Sequence, residues 1–210
     1  GMETGFFRFA DKAEENPKTV YSTSLIALFT TSLLFGLVCV VWQIPLAGLL
    51  GYPDHSEFVA LLGVTVAIDA FASIPFAYLR YKKRPLQFAA LKLLFVFLNI
   101  ALNLFFLVLC PKMQDWAIIS SWYNPNYGVG YVFVANILAT AVQTVCLLPA
   151  IIEGFKGSKD IFSWGLLKQM LRYSLPLLVL GVCGIMNQTL DRILFPFFYD
   201  GADAQAQLGI

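Results

Sequence analysis

Residues 64–84 read VTVAIDAFASIPFAYLRYKKR. The apolar run holding this stretch starts at Phe58, reaches Leu79 and ends on Arg80, Lys82, Lys83 and Arg84. A bilayer core takes about 20 predominantly apolar residues per helix, and cations gather where a helix leaves the membrane on its cytoplasmic side. The stretch is therefore predicted to cross a bilayer, with Asp69 near mid-span. No residue beside Asp69 in sequence neutralises it, and a carboxylate at a helix centre costs about 2.5–3.5 kcal/mol on insertion scales. It has to face protein or a water-filled cavity.

The rest of the chain has the same character. Of 210 residues, 59% are hydrophobic and 13% charged, far from the roughly 25% charged of a soluble domain. The predicted fold is an all-α integral membrane protein, a polytopic helical bundle with spans at 21–50, 58–79, 86–109, 127–152 and 173–199. Residues 1–20 read as a cytoplasmic interfacial loop and 200–210 as a truncated outer connection. A β-barrel would show alternating segments of about 10 residues, and none occurs. The N-terminus lacks the pattern of a signal peptide. An odd number of spans, the initial Gly1 and the ending AQAQLGI lead us to expect an internal segment of a longer protein.

Sidedness follows from the cations. Arg8, Lys12 and Lys18 precede the first span, Arg80, Lys82, Lys83 and Arg84 follow the second, and Lys156, Lys159, Lys168 and Arg172 follow the fourth. The opposite segments, 51–57 and 110–126, carry Lys112 alone. The positive-inside rule then places the start in the cytoplasm. Trp116, Trp122, Tyr123 and Tyr127 in DWAIISSWYNPNYG read as an aromatic belt at the outer interface.

Several chemistries find no support. Cys39, Cys110, Cys146 and Cys183 are dispersed, with no CxxC and no nearby histidine, so they read as small packing residues rather than a disulfide framework or metal site. His55, the sole histidine, reads as a solvated loop residue. Asn187-Gln188-Thr189 fits the glycosylation pattern but lies within a span. Phosphate-binding glycine loops and hydrolase motifs are absent from the sequence, and neither an enzyme nor a nucleic-acid partner is expected.

The polar residues of the spans recur at helical spacing. Thr65, Asp69, Ser73 and Arg80 share one stripe, as do Lys92, Asn99 and Asn103, then Asn136, Thr140 and Gln143. In the fifth span Asn187 and Asp191 are four apart, beside Gln188 and Arg192. The stripes are expected to point inward together. Asn, Gln and Thr can equally serve as interhelical hydrogen-bonding glue worth about 0.6 kcal/mol each; Arg80 and Lys92 can snorkel, and Asp191 with Arg192 can form a self-neutralising pair. Pro176, Gly181, Gly184 and Pro196 suggest an interrupted fifth span; Pro45 and Pro75 suggest kinks.

Three segments together, GMETGFFRFADKAEENPK, IPFAYLRYKKRPLQFAALKL followed by NIALNLFFLV, and MLRYSLPLLVLGVCGIMNQTLDRILFPFF, resemble the polysaccharide-export flippases of the multidrug/oligosaccharidyl-lipid/polysaccharide (MOP) superfamily. Members carry twelve or fourteen spans in two bundles, and the chain is similar to the region from the loop after the second span through the seventh. The resemblance implies a bacterial inner-membrane protein that flips undecaprenyl-pyrophosphate-linked oligosaccharide for O-antigen or capsule assembly by ion-coupled alternating access. On that reading Lys92 and Arg192, with Arg80 as a further candidate, contact phosphate, and Asn99, Asn103, Asn136, Gln143 and Asn187 contact substrate. Asp69 and Asp191 hold a coupling H+ or Na+, with no further cofactor. The implied partners are the lipid-linked oligosaccharide, membrane lipids, and the polysaccharide polymerase and chain-length machinery. The alternatives are a multidrug or toxin cation antiporter of the same superfamily, and a membrane-embedded polysaccharide polymerase or ligase.

Overall fold

The computed structural model describes residues 1–11, 16–49, 55–112, 127–156 and 161–198; for 188 and 191–198 it describes the backbone alone. Every element among them is helical. Helix α1 spans Met2–Ala10, α2 Pro17–Val41, α3 Gln43–Leu49 and α4 Ser56–Tyr81; α5 spans Pro85–Leu104 and continues through a π turn at Phe105–Leu109 into Cys110–Lys112. Helices α6 (Gly130–Phe155) and α7 (Trp164–Phe198) complete the order. Five are long and apolar enough to cross a membrane: Pro17–Val41, Ser56–Tyr81, Pro85–Lys112, Gly130–Phe155 and Trp164–Asn187. The chain is a multi-pass α-helical membrane protein.

Local chemistry explains the boundaries. Asn16 caps α2 by accepting from the Lys18 N–H at 3.0 Å, with Pro17 in the first turn. The first predicted span is divided at Trp42, because Pro45 has no N–H for the Val41 carbonyl and its ring would crowd that carbonyl. Pro75 sits inside α4 without ending it. Helix α4 ends in a Schellman turn: Lys83 N–H donates to Arg80 O at 3.0 Å and Arg84 N–H to Leu79 O at 3.1 Å, with Lys83 at a φ of 54°. Pro85 then opens α5, so the two spans turn back on one another.

Two features depart from the expectations. Residues 2–10 are a docked helix rather than loop: Phe6, Phe9 and Ala10 are buried against α2, α4 and α7. Helix α7 starts at Trp164 and runs unbroken through Pro176, Gly181 and Gly184. A span tolerates such residues because neighbouring groups and local adjustment satisfy the freed carbonyl.

Helix α4 is the centre of the bundle, packed against α2 and α6 and also touching α1, α3 and α5. Its approach to α2 depends on small residues: a Cβ on Gly63 would lie 2.4 Å from Cys39 Cβ, and one on Gly36 3.3 Å from Ala67 Cβ. Cys110 is buried as well, whereas Cys146 and Cys183 lie on the outer surface. Helix α7 packs mainly on α1 and α2.

The helix ends sort by charge. At one end Arg84 pairs with Glu153 at 2.8 Å, Lys18 Nζ donates to the Lys156 carbonyl, and Ser163 N–H donates to Thr23 Oγ1 at 3.2 Å. At the other, Phe58 stacks with His55 (4.7 Å) and Phe133 (5.2 Å) and meets Tyr127 edge-on (5.8 Å). Lys12, Lys159, the remaining belt aromatics and 199–210 fall outside the described residues. In a background without native cysteines, Ser56→Cys is expected to react with an impermeant thiol reagent added outside cells, and Lys83→Cys is expected to stay unlabelled. The reverse pattern would invert the orientation.

Candidate functional site

The α4 stripe explains how the chain accommodates Asp69. Asp69, Ser73 and Arg80 follow one another down α4, and the N-terminal half of α5 brings Lys92 opposite them. With Glu3 from α1, these side chains line a cleft of about 270 Å³ whose remaining walls are Ala72, Phe76, Phe88 and Phe95. Asp69 to Arg80 spans 11 residues, about 16 Å along the axis, so the cleft runs from mid-span toward the basic end. Lys92 is the cationic neighbour of Asp69. This cation, 23 residues away in the chain, shares the cleft with Asp69, and the sequence beside Asp69 has no counterpart to it.

Rings hold both cations, and a carboxylate holds Arg80 as well. Lys92 Nζ lies 4.3 Å from the centroid of Phe76; Arg80 Cζ lies 5.2 Å from that of Phe88 and 5.7 Å from that of Phe7. A cation over an aromatic face is attracted by the ring quadrupole, by about 0.5–1 kcal/mol where exposed and more where dry. Glu3 forms an ion pair with Arg80. No sequence pattern marks Glu3, because only the docking of α1 brings it to Arg80. Ser73 donates to the Ala70 carbonyl at 2.7 Å, leaving its oxygen able to accept in the cleft. The arrangement brings two cations, two carboxylates and an aromatic floor together within the spans.

The amides form a separate group. Asn99 Nδ2 donates to Asn136 Oδ1 at 3.0 Å, and Asn103 Nδ2 donates to Asn99 O and Oδ1, each at 2.9 Å. Gln143, 1% exposed, donates to the Leu91 carbonyl at 3.4 Å. Thr140 is fully buried, and Thr65 turns back onto Leu61 O at 2.8 Å. The stripes of α5 and α6 thus meet each other, with their amides engaged between the two helices. Asn187 is exposed on α7, away from both groups. The backbone of Asp191 and Arg192 continues α7, and their side chains lie outside the described residues. Asn136→Leu is expected to leave the Asn99 amide without its partner and to cost about 1–2 kcal/mol of thermal stability; an unchanged melting temperature would show that the contact carries no stability.

Fold and cleft together define a polytopic membrane protein with an ionisable cleft reaching mid-bilayer. Comparison with known protein families, with characterised proteins and with solved structures found no match for the chain.

Proposed function

We propose that the protein is a transporter that moves undecaprenyl-pyrophosphate-linked oligosaccharide across the bacterial cytoplasmic membrane for surface polysaccharide assembly, by ion-coupled alternating access. The observation that carries this reading is the cleft of Asp69, Arg80 and Lys92, because charged side chains within spans mark substrate and ion pathways. A pyrophosphate cannot enter hydrocarbon uncompensated. Arg80 and Lys92 supply charge-assisted hydrogen bonds to it, Asp69 takes the coupling H+ or Na+, and a change of its occupancy biases the inward–outward equilibrium. Arg192 and Asp191 belong to the same proposal as a second phosphate and ion pair. The half-buried Asn99, Asn103 and Asn136 and the buried Gln143, together with Asn187, would contact sugar once the α5–α6 contact opens. The polymerase and chain-length machinery are the proposed partners downstream.

The ring-lined floor of Phe76, Phe88 and Phe95 favours a second reading, export of an organic cation. Full-length protein in proteoliposomes separates the two. Translocation of a fluorescent lipid-linked oligosaccharide driven by an imposed ion gradient is the expected result. Translocation of a lipophilic cation in its place would select the antiporter, and movement of neither would remove both readings.

A further inference from the structure

Arg80 and Arg84, four residues apart at the basic end of the bundle, are paired in different ways. Arg84 grips Glu153 with both Nη atoms, at 2.8 and 3.3 Å, the two-pronged geometry that fixes an Arg–carboxylate pair. Arg80 reaches Glu3 through Nη2 alone. A guanidinium has five N–H donors, and among the described residues no other group accepts from Arg80. The side chains of Arg80 and Glu3 are 42% and 39% exposed, and an ion pair this open adds little to stability.

Helix α1 does not need that ion pair to stay in place. Phe6 and Phe9 are buried against the neighbouring helices. Ser174 Oγ donates to Gly1 O and the Tyr81 hydroxyl to Ala10 O, both at 3.2 Å, and Gly5 lies so close to α7 that a Cβ there would fall 2.6 Å from Ser174 Oγ. Glu3 is therefore a flexible arm on a fixed support, and its carboxylate can leave Arg80 while α1 remains docked. Arg80 keeps its own position meanwhile, its guanidinium over the rings of Phe7 and Phe88.

From this we infer that Glu3 is a built-in competitor for the anion site of the cleft: its carboxylate occupies Arg80 while the cleft is empty, and a phosphate of the ligand takes its place, an assignment that rests on the cleft receiving a pyrophosphate-bearing ligand. With Glu3 in place the cleft holds two cations and two carboxylates. An entering phosphate gains Arg80 only by releasing Glu3, and the freed carboxylate then repels it from the cleft wall. Both effects hold the affinity below what Arg80 and Lys92 alone would give. A site that passes its ligand on has to bind weakly enough to release it, and Glu3 supplies that weakening at the mouth of the cleft.

The test is calorimetric binding of inorganic pyrophosphate to full-length protein in phosphatidylcholine nanodiscs. Glu3→Gln is expected to bind it about tenfold more tightly than the parent, the combined scale of one exposed ion pair and one removed repulsion, with an unchanged melting temperature. In an Arg80→Gln background, where no guanidinium is left to compete for, the gain from Glu3→Gln should be lost or fall to at most about threefold, the residual repulsion alone. Glu153→Gln removes a carboxylate from the same end of the bundle but outside the cleft, and should bind pyrophosphate as the parent does. Unchanged or weaker binding in Glu3→Gln, a gain that is the same with and without Arg80, or an equal gain in Glu153→Gln would each overturn the assignment. In those cases pyrophosphate binding that is lost in Lys92→Gln would leave the transport reading standing, whereas no binding to any of these proteins would overturn both.

Discussion

Lys92→Gln is expected, if the cleft carries the proposed substrate, to lower export of lipid-linked oligosaccharide by about 10- to 100-fold at limiting substrate, the equivalent of one charge-assisted hydrogen bond of about 1.5–3 kcal/mol. Lys92 is exposed in the cleft, with its ammonium over Phe76, so the variant should insert and melt much as the parent does. Asp69→Asn is expected to behave differently: substrate binding persists, and the dependence of transport on the ion gradient is lost. The double variant separates a structural pair from a transport site. If Asp69 and Lys92 only neutralise each other, removing both charges restores whatever either single change costs. If they hold phosphate and ion, Asp69→Asn/Lys92→Gln is stable in the membrane and fails to complement a flippase-null strain. A double variant that is both stable and fully active would remove the cleft from the mechanism.

The largest effect on stability is expected at Gly154. Tyr21 is fully buried, its ring 4.4 Å from that of Tyr78 and edge-on to Phe6 and Phe155, at 6.1 and 6.4 Å. A Cβ on Gly154 would fall 2.0 Å from Tyr21 Cε1. The ring has no free volume to move into, so Gly154→Ala forces α2 and α6 apart, at about 3 kcal/mol, the upper range for overpacking a core. Gly165→Ala on α7, where nothing lies within 4 Å, is the control. There the substitution should stabilise by about 0.5–1 kcal/mol through helix propensity. Tyr21→Leu is expected to relieve part of the Gly154→Ala defect, a coupling that a double-mutant cycle reads directly. Additive losses would show that the clash lies elsewhere.

Sequence alone determined the medium and the elements. Twenty-odd apolar residues between Pro, Gly and charge can only be a helix in a bilayer, since no water is present there to satisfy an open backbone. The clustering of Lys and Arg likewise told which helix ends share a side. A cap or a proline sets the start of a helix at Asn16 and Pro85. Helices were misread where packing sets them: α1 is a helix because Phe6 and Phe9 dock on its neighbours, and α7 passes Pro176 and Gly181 unbroken. Helical periodicity fixes which residues share a face but not which helix that face meets. The stripes of α5 and α6 were therefore visible as stripes, whereas the Asn99–Asn136 contact was not. Only the tertiary structure decided that Asp69 faces Lys92 and that Glu3 reaches Arg80. Both join residues more than twenty positions apart, and it is interhelical packing, rather than local spacing, that brings such charges into one cleft.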